Sequence, residues 1–280
     1  MTSRRGGFTM TELIIVAVLG SVVLMAALQV LITNQRTYTA QNVQINGQQS
    51  TRMALEVLSS ELREVSPEGG DILAMSSSAI TVRLMRKFSI VCGTIFSPPA
   101  GAPQLFVINS ISGPFTRFAA GDSVFVWADN EVETENDDHW IPARVTAAVT
   151  TAVCPSDLTT PATLLTFGGQ AAIFTATADS VTMGAPVRSY LPFTFGMTTY
   201  NGDVYLGRRP GTGTWVPMAG PLRPTTGLEF VYRDSLNAVT ATPGDVRQIV
   251  LRVRSGSRGV LNSLGNPVTD SIMAWVYTRN

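Results

Sequence analysis

The chain has 280 residues, enough for one large domain or two small ones with a sizeable core. Twenty basic and twenty acidic residues cancel, so no global charge points to nucleic acid or to an anionic surface. Only 14% of the residues are charged, and a single histidine, His139, argues against histidine-based catalysis and a multi-histidine metal site.

The chain opens MTSRRGGFTMTELIIVAVLGSVVLMAALQVLIT. From Leu13 to Ile32 no residue is charged, and at ~1.5 Å per residue a helix of that length spans ~30 Å, the thickness of a bilayer core. Arg4 and Arg5 precede the run, so the positive-inside rule predicts a cytoplasmic N-terminus and an extracytoplasmic remainder. A cleavable secretory signal has a shorter apolar core followed by small residues. Here the small residues, Gly6 and Gly7, come before the run, and no A-x-A pattern follows it. Cleavage at Gly7 would remove the basic leader and keep the helix. Glu12 is the anomaly: a carboxylate at the edge of hydrocarbon is costly and calls for a partner.

A basic leader ending in Gly7, then Phe-Thr-x-x-Glu, then an unbroken apolar helix resembles the class III signal of type IV pilins and type II secretion pseudopilins. The resemblance implies that a prepilin peptidase cuts between Gly7 and Phe8 and methylates the new Phe8 amine. It implies further that Glu12, fifth in the mature chain, meets the Phe8 amine of a neighbouring subunit during filament assembly. A simple signal anchor would give the same topology but leaves Glu12 unexplained.

Beyond Ile32 the sequence is polar but free of strong breakers until Pro67. Ala54, Leu58, Leu62 and Val65 recur at helical spacing, with Glu61 and Arg63 off that face. One long helix is expected from about Phe8 to Val65, its second half packing on a head. Gly47, among Asn46, Gln48 and Gln49, is the expected weak point for a bend.

From Ile72 the pattern changes to short apolar runs punctuated by Gly, Pro, Asn and Asp. Expected strands are AITVRLM, SIVC, QLFVINS, SVFVWA, ARVTAAV, TLLTF, SVTM, VRSYLPFTF, DVYLGRR, GLEFVYRD, VRQIVLRVRSG and SIMAWVYTR. The fold class is α+β, a helical stalk on an antiparallel β head. The expected divisions are a leader at 1–7, a membrane or filament-core segment at 8–32, an amphipathic helix at 33–66 and the β-rich head at 67–280. Residues 203 to 280 resemble the minor pilins of the PilW class and the J-class pseudopilins, which implies a place near a filament tip. Residues 90 to 200 match nothing in that resemblance and read as insertions.

GRRPGTGTW lacks the GK[ST] of a phosphate loop and reads as a hairpin turn, in which Arg208 and Arg209 suit a solvated position better than a contact with DNA or a filament neighbour. No G-x-S-x-G is present. In ADNEVETENDDHW, Asp129, Glu131, Glu133 and Asp137 offer oxygens to calcium. The spacing is not that of an EF-hand, however, and alternating carboxylates also suit a solvated loop or strand face. No metal, cofactor or catalytic residue is assigned, and nucleic acid is not expected as a partner. Export would place Cys92 and Cys154 in an oxidising compartment, where a disulfide is the natural reading.

The resulting expectation is a non-enzymatic minor pilin that primes or tips a type IV pilus. Its partners would be prepilin peptidase, other major and minor pilins and the inner-membrane assembly platform. It would sit in the inner membrane, head outward, before entering a surface filament. The alternatives are a J-class type II secretion pseudopilin and, from another class, a membrane-anchored adhesin or DNA-uptake receptor.

Overall fold

The computed structural model describes residues 9–95, 102–109, 117–129, 139–168, 181–256 and 269–279. One helix, α1 (Met10–Arg63), stands on an otherwise β head. Its 54 residues make it ~80 Å long. From Met10 to Asn46 its side chains are exposed or half-exposed. Burial begins at Gly47 and continues at Thr51, Ala54, Leu55, Leu58 and Leu62, the spacing of one helical face. The expected weak point at Gly47 does not materialise, because the helix runs through it unbroken. A Cβ there would lie 2.8 Å from Ser255 Oγ, so the missing side chain is what lets the head approach the helix. Pro67 stops the helix, and Val65, just past it, is buried.

Twelve strands follow among the described residues: β1 (Ile72–Met75), β2 (Ala79–Ile95), β3 (Gln104–Ile108), β4 (Ser123–Ala128), β5 (His139–Val153), β6 (Pro161–Phe167), β7 (Pro186–Tyr200), β8 (Asp203–Pro210), β9 (Val216–Leu222), β10 (Leu228–Arg233), β11 (Gln248–Arg254) and β12 (Ser271–Tyr277). All pairings are antiparallel. The runs AITVRLM and SIVC, expected as two strands, are one continuous β2. β1 was not among the expected strands, β9 is the second arm of the hairpin expected at GRRPGTGTW, and SVTM forms none over its described residues.

Nine strands form one sheet in the order β1-β2-β3-β6-β5-β4-β7-β8-β9. A further pairing of β2 with β7 closes β2-β3-β6-β5-β4-β7 into a ring of six strands. The fold thus has two interiors on one sheet. The first lies under α1, where Leu58 and Leu62 meet Ile80, Val82, Phe193, Phe195 and Leu206, and where the small sheet β10-β11-β12 closes the other side with Phe230, Ile249 and Leu251. The second fills the ring with Val91, Leu105, Val124, Ile141, Leu165, Phe167 and Val187.

β2 serves both interiors through a bulge. Its inward positions are even before Met85 (Ile80, Val82, Leu84) and odd after Lys87 (Ser89, Val91), and the pairing with β7 slips by one residue between them. One extra residue lets the strand keep the same face inward while the sheet curls away from the helix.

Candidate functional site

The first turn of α1 is built around Glu12. Thr9 is the N-cap: its hydroxyl oxygen accepts from Glu12 N–H at 3.4 Å. The backbone N–H and hydroxyl of Thr9 each donate to Glu12 Oε2 at 2.9 Å. This reciprocal arrangement is a capping box, and a carboxylate in the first turn also faces the positive end of the helix dipole. Within one chain, then, Glu12 is held by its own Thr9. The Thr-x-x-Glu spacing announces the box in the sequence, where the apolar run drew attention away from it. Gly7 and Phe8, the expected processing junction, lie outside the described residues.

α1 is long and apolar enough to cross a membrane, and none of its most apolar window is buried by the rest of the chain. Four hydroxyls of its exposed stretch are satisfied locally. Ser21 donates to Val18 O at 2.8 Å, Thr33 to Gln29 O at 2.9 Å, Thr37 to Thr33 O at 3.0 Å and Thr39 to Gln35 O at 2.9 Å. Arg36 is the single charge between Glu12 and Arg52.

Where the helix enters the head, the attachment is polar as well as apolar. Ser50 donates to Gly220 O at 2.7 Å. Glu61, read from the sequence as off the packing face, lies 3.6 Å from Arg86 and 3.4 Å from Arg208. Both guanidiniums also cover the Phe193 ring, at 4.5 and 5.0 Å. Arg208 and Arg209 are therefore not residues of a solvated turn. They lie in β8, Arg209 over Trp215 at 5.0 Å, and GRRPGTGTW bends into the β8–β9 hairpin after them.

Beyond the helix, the turn at 66–71 is tied to the outer face of β2 and β7. Asp71 accepts from Ser66 N at 3.0 Å and from Arg188 Nη1 at 3.3 Å, and Arg83 donates to Gly70 O at 2.9 Å. Arg188 is buried over Trp140 (4.5 Å) and Phe125 (5.0 Å), and Arg83 sits over Phe125 and Tyr190. Burial pushes the Asp71 carboxyl above its ordinary range despite the pull of Arg188. It lowers Arg188 for the same reason. The sequence signal for this cluster is an arginine inside the otherwise apolar VRSYLPFTF, and it was passed over.

Cys92, in β2, and Cys154, just past β5, are joined by a disulfide with Cα atoms 5.6 Å apart. With Ala162 they form a small core of their own, flanked by Phe106 and Ile108. Of the possible calcium ligands, Asp129 is described and Glu131, Glu133 and Asp137 lie outside the described residues. Among the described residues no three His, Cys, Asp or Glu side chains converge to hold a metal. His139 opens β5, paired with Ala128 at the exposed end of the ladder.

What the described residues offer is a helix prepared for apolar surroundings, carrying one carboxylate at its tip. Residues 2–28 match the family model of the prokaryotic N-terminal methylation motif. No curated protein and no solved structure matches the chain. The chain thus carries a prepilin-type motif at its N-terminus, running into one long apolar helix that packs on an antiparallel β head, as a type IV pilin-like protein with a class III signal does.

Proposed function

We propose that the chain is a minor pilin, a priming or tip subunit of a type IV pilus with no enzymatic role. It is cut between Gly7 and Phe8, methylated on the Phe8 amine, and held in the inner membrane with its head outside. It is then drawn into a filament with other pilins by the assembly platform. The observation that carries this reading is the prepilin-type motif joined to a helix whose first 37 residues, Met10 to Asn46, find no partner surface among the described residues of their own chain. The closed ring grown onto the head supports a tip position, because a subunit with neighbours on one side only has room for such bulk. Cys92 and Cys154 form their disulfide after export, in the oxidising compartment.

Glu12 would exchange partners during assembly, giving up Thr9 for the Phe8 amine of a neighbour. A carboxylate leaving water needs an opposite charge close by, since removing either member strands the other. The test separates charge from cap. Glu12→Gln keeps a side chain able to complete the capping box but removes the charge, while Glu12→Val removes both. Both variants should be processed, inserted and folded; insertion should be easier by up to ~3 kcal/mol. Both should be lost from sheared filaments, or should abolish piliation. Intact mass of the membrane-extracted protein should show a chain beginning at methylated Phe8. Retention of residues 1–7 in a host with active prepilin peptidase, or normal assembly of Glu12→Gln, would overturn the reading.

A further inference from the structure

Two side chains stand out on the exposed stretch of α1. Arg36 is its single charge between Glu12 and Arg52, and Tyr38 is the single aromatic ring of the whole helix. Both are exposed, Tyr38 by 67%. Among the described residues neither side chain makes an ion pair, a hydrogen bond or a ring contact. The neighbouring hydroxyls differ: Thr33, Thr37 and Thr39 are bonded to carbonyls of their own helix.

Their height along the helix decides what meets them. The uncharged run ends at Ile32, and the first positions shaded by the head are Ala40 and Val43, on the same face as Gly47. At ~1.5 Å per residue, Arg36 stands ~6 Å and Tyr38 ~9 Å beyond the run, and the head begins ~12 Å beyond it. A bilayer whose ~30 Å core is filled by the run from Leu13 to Ile32 reaches ~40–45 Å with its headgroups, which leaves roughly 5–8 Å of headgroup layer on each side. That layer ends inside the gap below the head. Helix side chains lean towards the N-terminus, so both Arg36 and Tyr38 reach back into it.

The chemistry fits the location. A guanidinium meets a phosphate with paired N–H donors, and a ring with a polar tip suits the border between acyl chains and water. A lone arginine on the extracytoplasmic side also runs against the positive-inside bias, which Arg4 and Arg5 satisfy at the other end, and so calls for a partner of its own.

We infer that Arg36 and Tyr38 form the outer-leaflet anchor of α1. The guanidinium holds phosphates of the phospholipid headgroups and the Tyr38 ring lies beside them, which fixes the depth of the helix and keeps the head clear of lipid. This rests on the membrane orientation in the reading above and not on its filament role.

The test uses the full-length chain, purified and reconstituted without other proteins into phosphatidylcholine–phosphatidylglycerol vesicles. With 13C-labelled arginine, solid-state NMR should find guanidinium carbon in contact with lipid phosphorus, and Arg36→Gln should remove part of that signal. Depth is read from a nitroxide on Gln41→Cys, the native cysteines being joined in their disulfide. Its collisions with oxygen and with a water-soluble nickel chelate should place it in water. Arg36→Gln combined with Tyr38→Ala should let the helix settle deeper by about one turn, ~5 Å, with the disulfide intact. A phosphorus contact that does not depend on Arg36, an unchanged depth in the double variant, or a nitroxide at 41 already in hydrocarbon overturns the anchor. In cells, the photoreactive p-benzoylphenylalanine at position 38 should form adducts with phospholipid; adducts confined to a protein assign this stretch to a neighbouring subunit and overturn it too. If the anchor is found and the chain never enters filaments, the anchor stands and the filament reading falls. If assembly is Glu12-dependent and the contact is missing, the anchor alone falls.

Discussion

The interior under α1 and the interior of the six-stranded ring share β2 and β7 but are closed by opposite means. Under the helix, two sheets and a helical stripe each contribute one apolar face, and the layers would drift apart without the side chains between them. The ring closes on itself through backbone pairing, so its strands hold their neighbours even where side chains are small, as at Ala128 and Ala143. A layered core concentrates its stability in a few large side chains; a closed ring distributes it around the ladder. The two meet at the Asp71–Arg188 pair, where the turn after the helix is fastened to the strands that lead into the ring.

That junction gives the largest expected effect. Arg188→Ala should cost about 3–5 kcal/mol, because it leaves the Asp71 carboxylate buried without its counter-charge. Asp71→Leu combined with Arg188→Met should recover most of the loss, since an apolar pair of similar volume needs no desolvation. Denaturant midpoints of the purified chain in detergent would measure both. If the single variant is mild, helix and ring are not coupled through this pair.

Removing the disulfide with Cys92→Ser and Cys154→Ser should cost about 4 kcal/mol in the chain-entropy estimate for the sequence separation of 62 residues. The comparison becomes sharper when the loss is located. Amide exchange should rise in β3, β5 and β6 and stay unchanged in β10 to β12. Uniform loss would show that the two interiors unfold as one.

On the helix side, Gly47→Val should cost about 1–3 kcal/mol by forcing α1 away from Ser255. Gly20→Ala, where nothing lies within 4 Å, should leave the head unchanged and favour the helix by up to ~1 kcal/mol. Circular dichroism and head stability, read together, distinguish the two glycines.

The smallest effect belongs to Tyr232, buried beside Phe230 under the helix. Burial pushes its phenol above the ordinary value of 10.0, so the folded form holds the proton longer than the unfolded chain. The stability this contributes is complete below that value and is lost as pH rises through the folded one. Tyr232→Phe should cost about 1 kcal/mol at neutral pH, through the lost bond to Ser76 O, and should flatten the alkaline limb of a stability–pH curve.

Legibility in the sequence followed the same division. Ala54, Leu58 and Leu62 repeat at a helical period that needs no tertiary knowledge, and within the expected strand VRQIVLRVRSG the apolar Ile249, Leu251 and Val253, which are buried, alternate with the more exposed Arg252 and Arg254. Closure of the ring was not legible. It depends on β2 pairing with β7, a hundred residues away, and on a one-residue slip at Arg86 that breaks the alternation a strand is recognised by. The charged side chains were misjudged for a related reason. Glu61, Arg208 and Arg188 look solvent-bound in one dimension, and only the fold shows which rings and carboxylates they face. For the N-terminal segment, residue order was enough to suggest the motif, because that signal is local; Glu12's bond to Thr9 was equally local and still overlooked.

The back-bonded hydroxyls of Ser21, Thr33, Thr37 and Thr39 have a consequence for transport. Each spends its proton on a carbonyl of its own helix, so its bond stays the same in water, in lipid or against another helix. A segment wired this way can be pulled out of a bilayer and into a bundle without exchanging those hydrogen bonds at any depth along the path. What a change of surroundings does cost falls on the guanidinium of Arg36, the carboxylate of Glu12 and side-chain amides such as those of Gln29, Asn34 and Gln35.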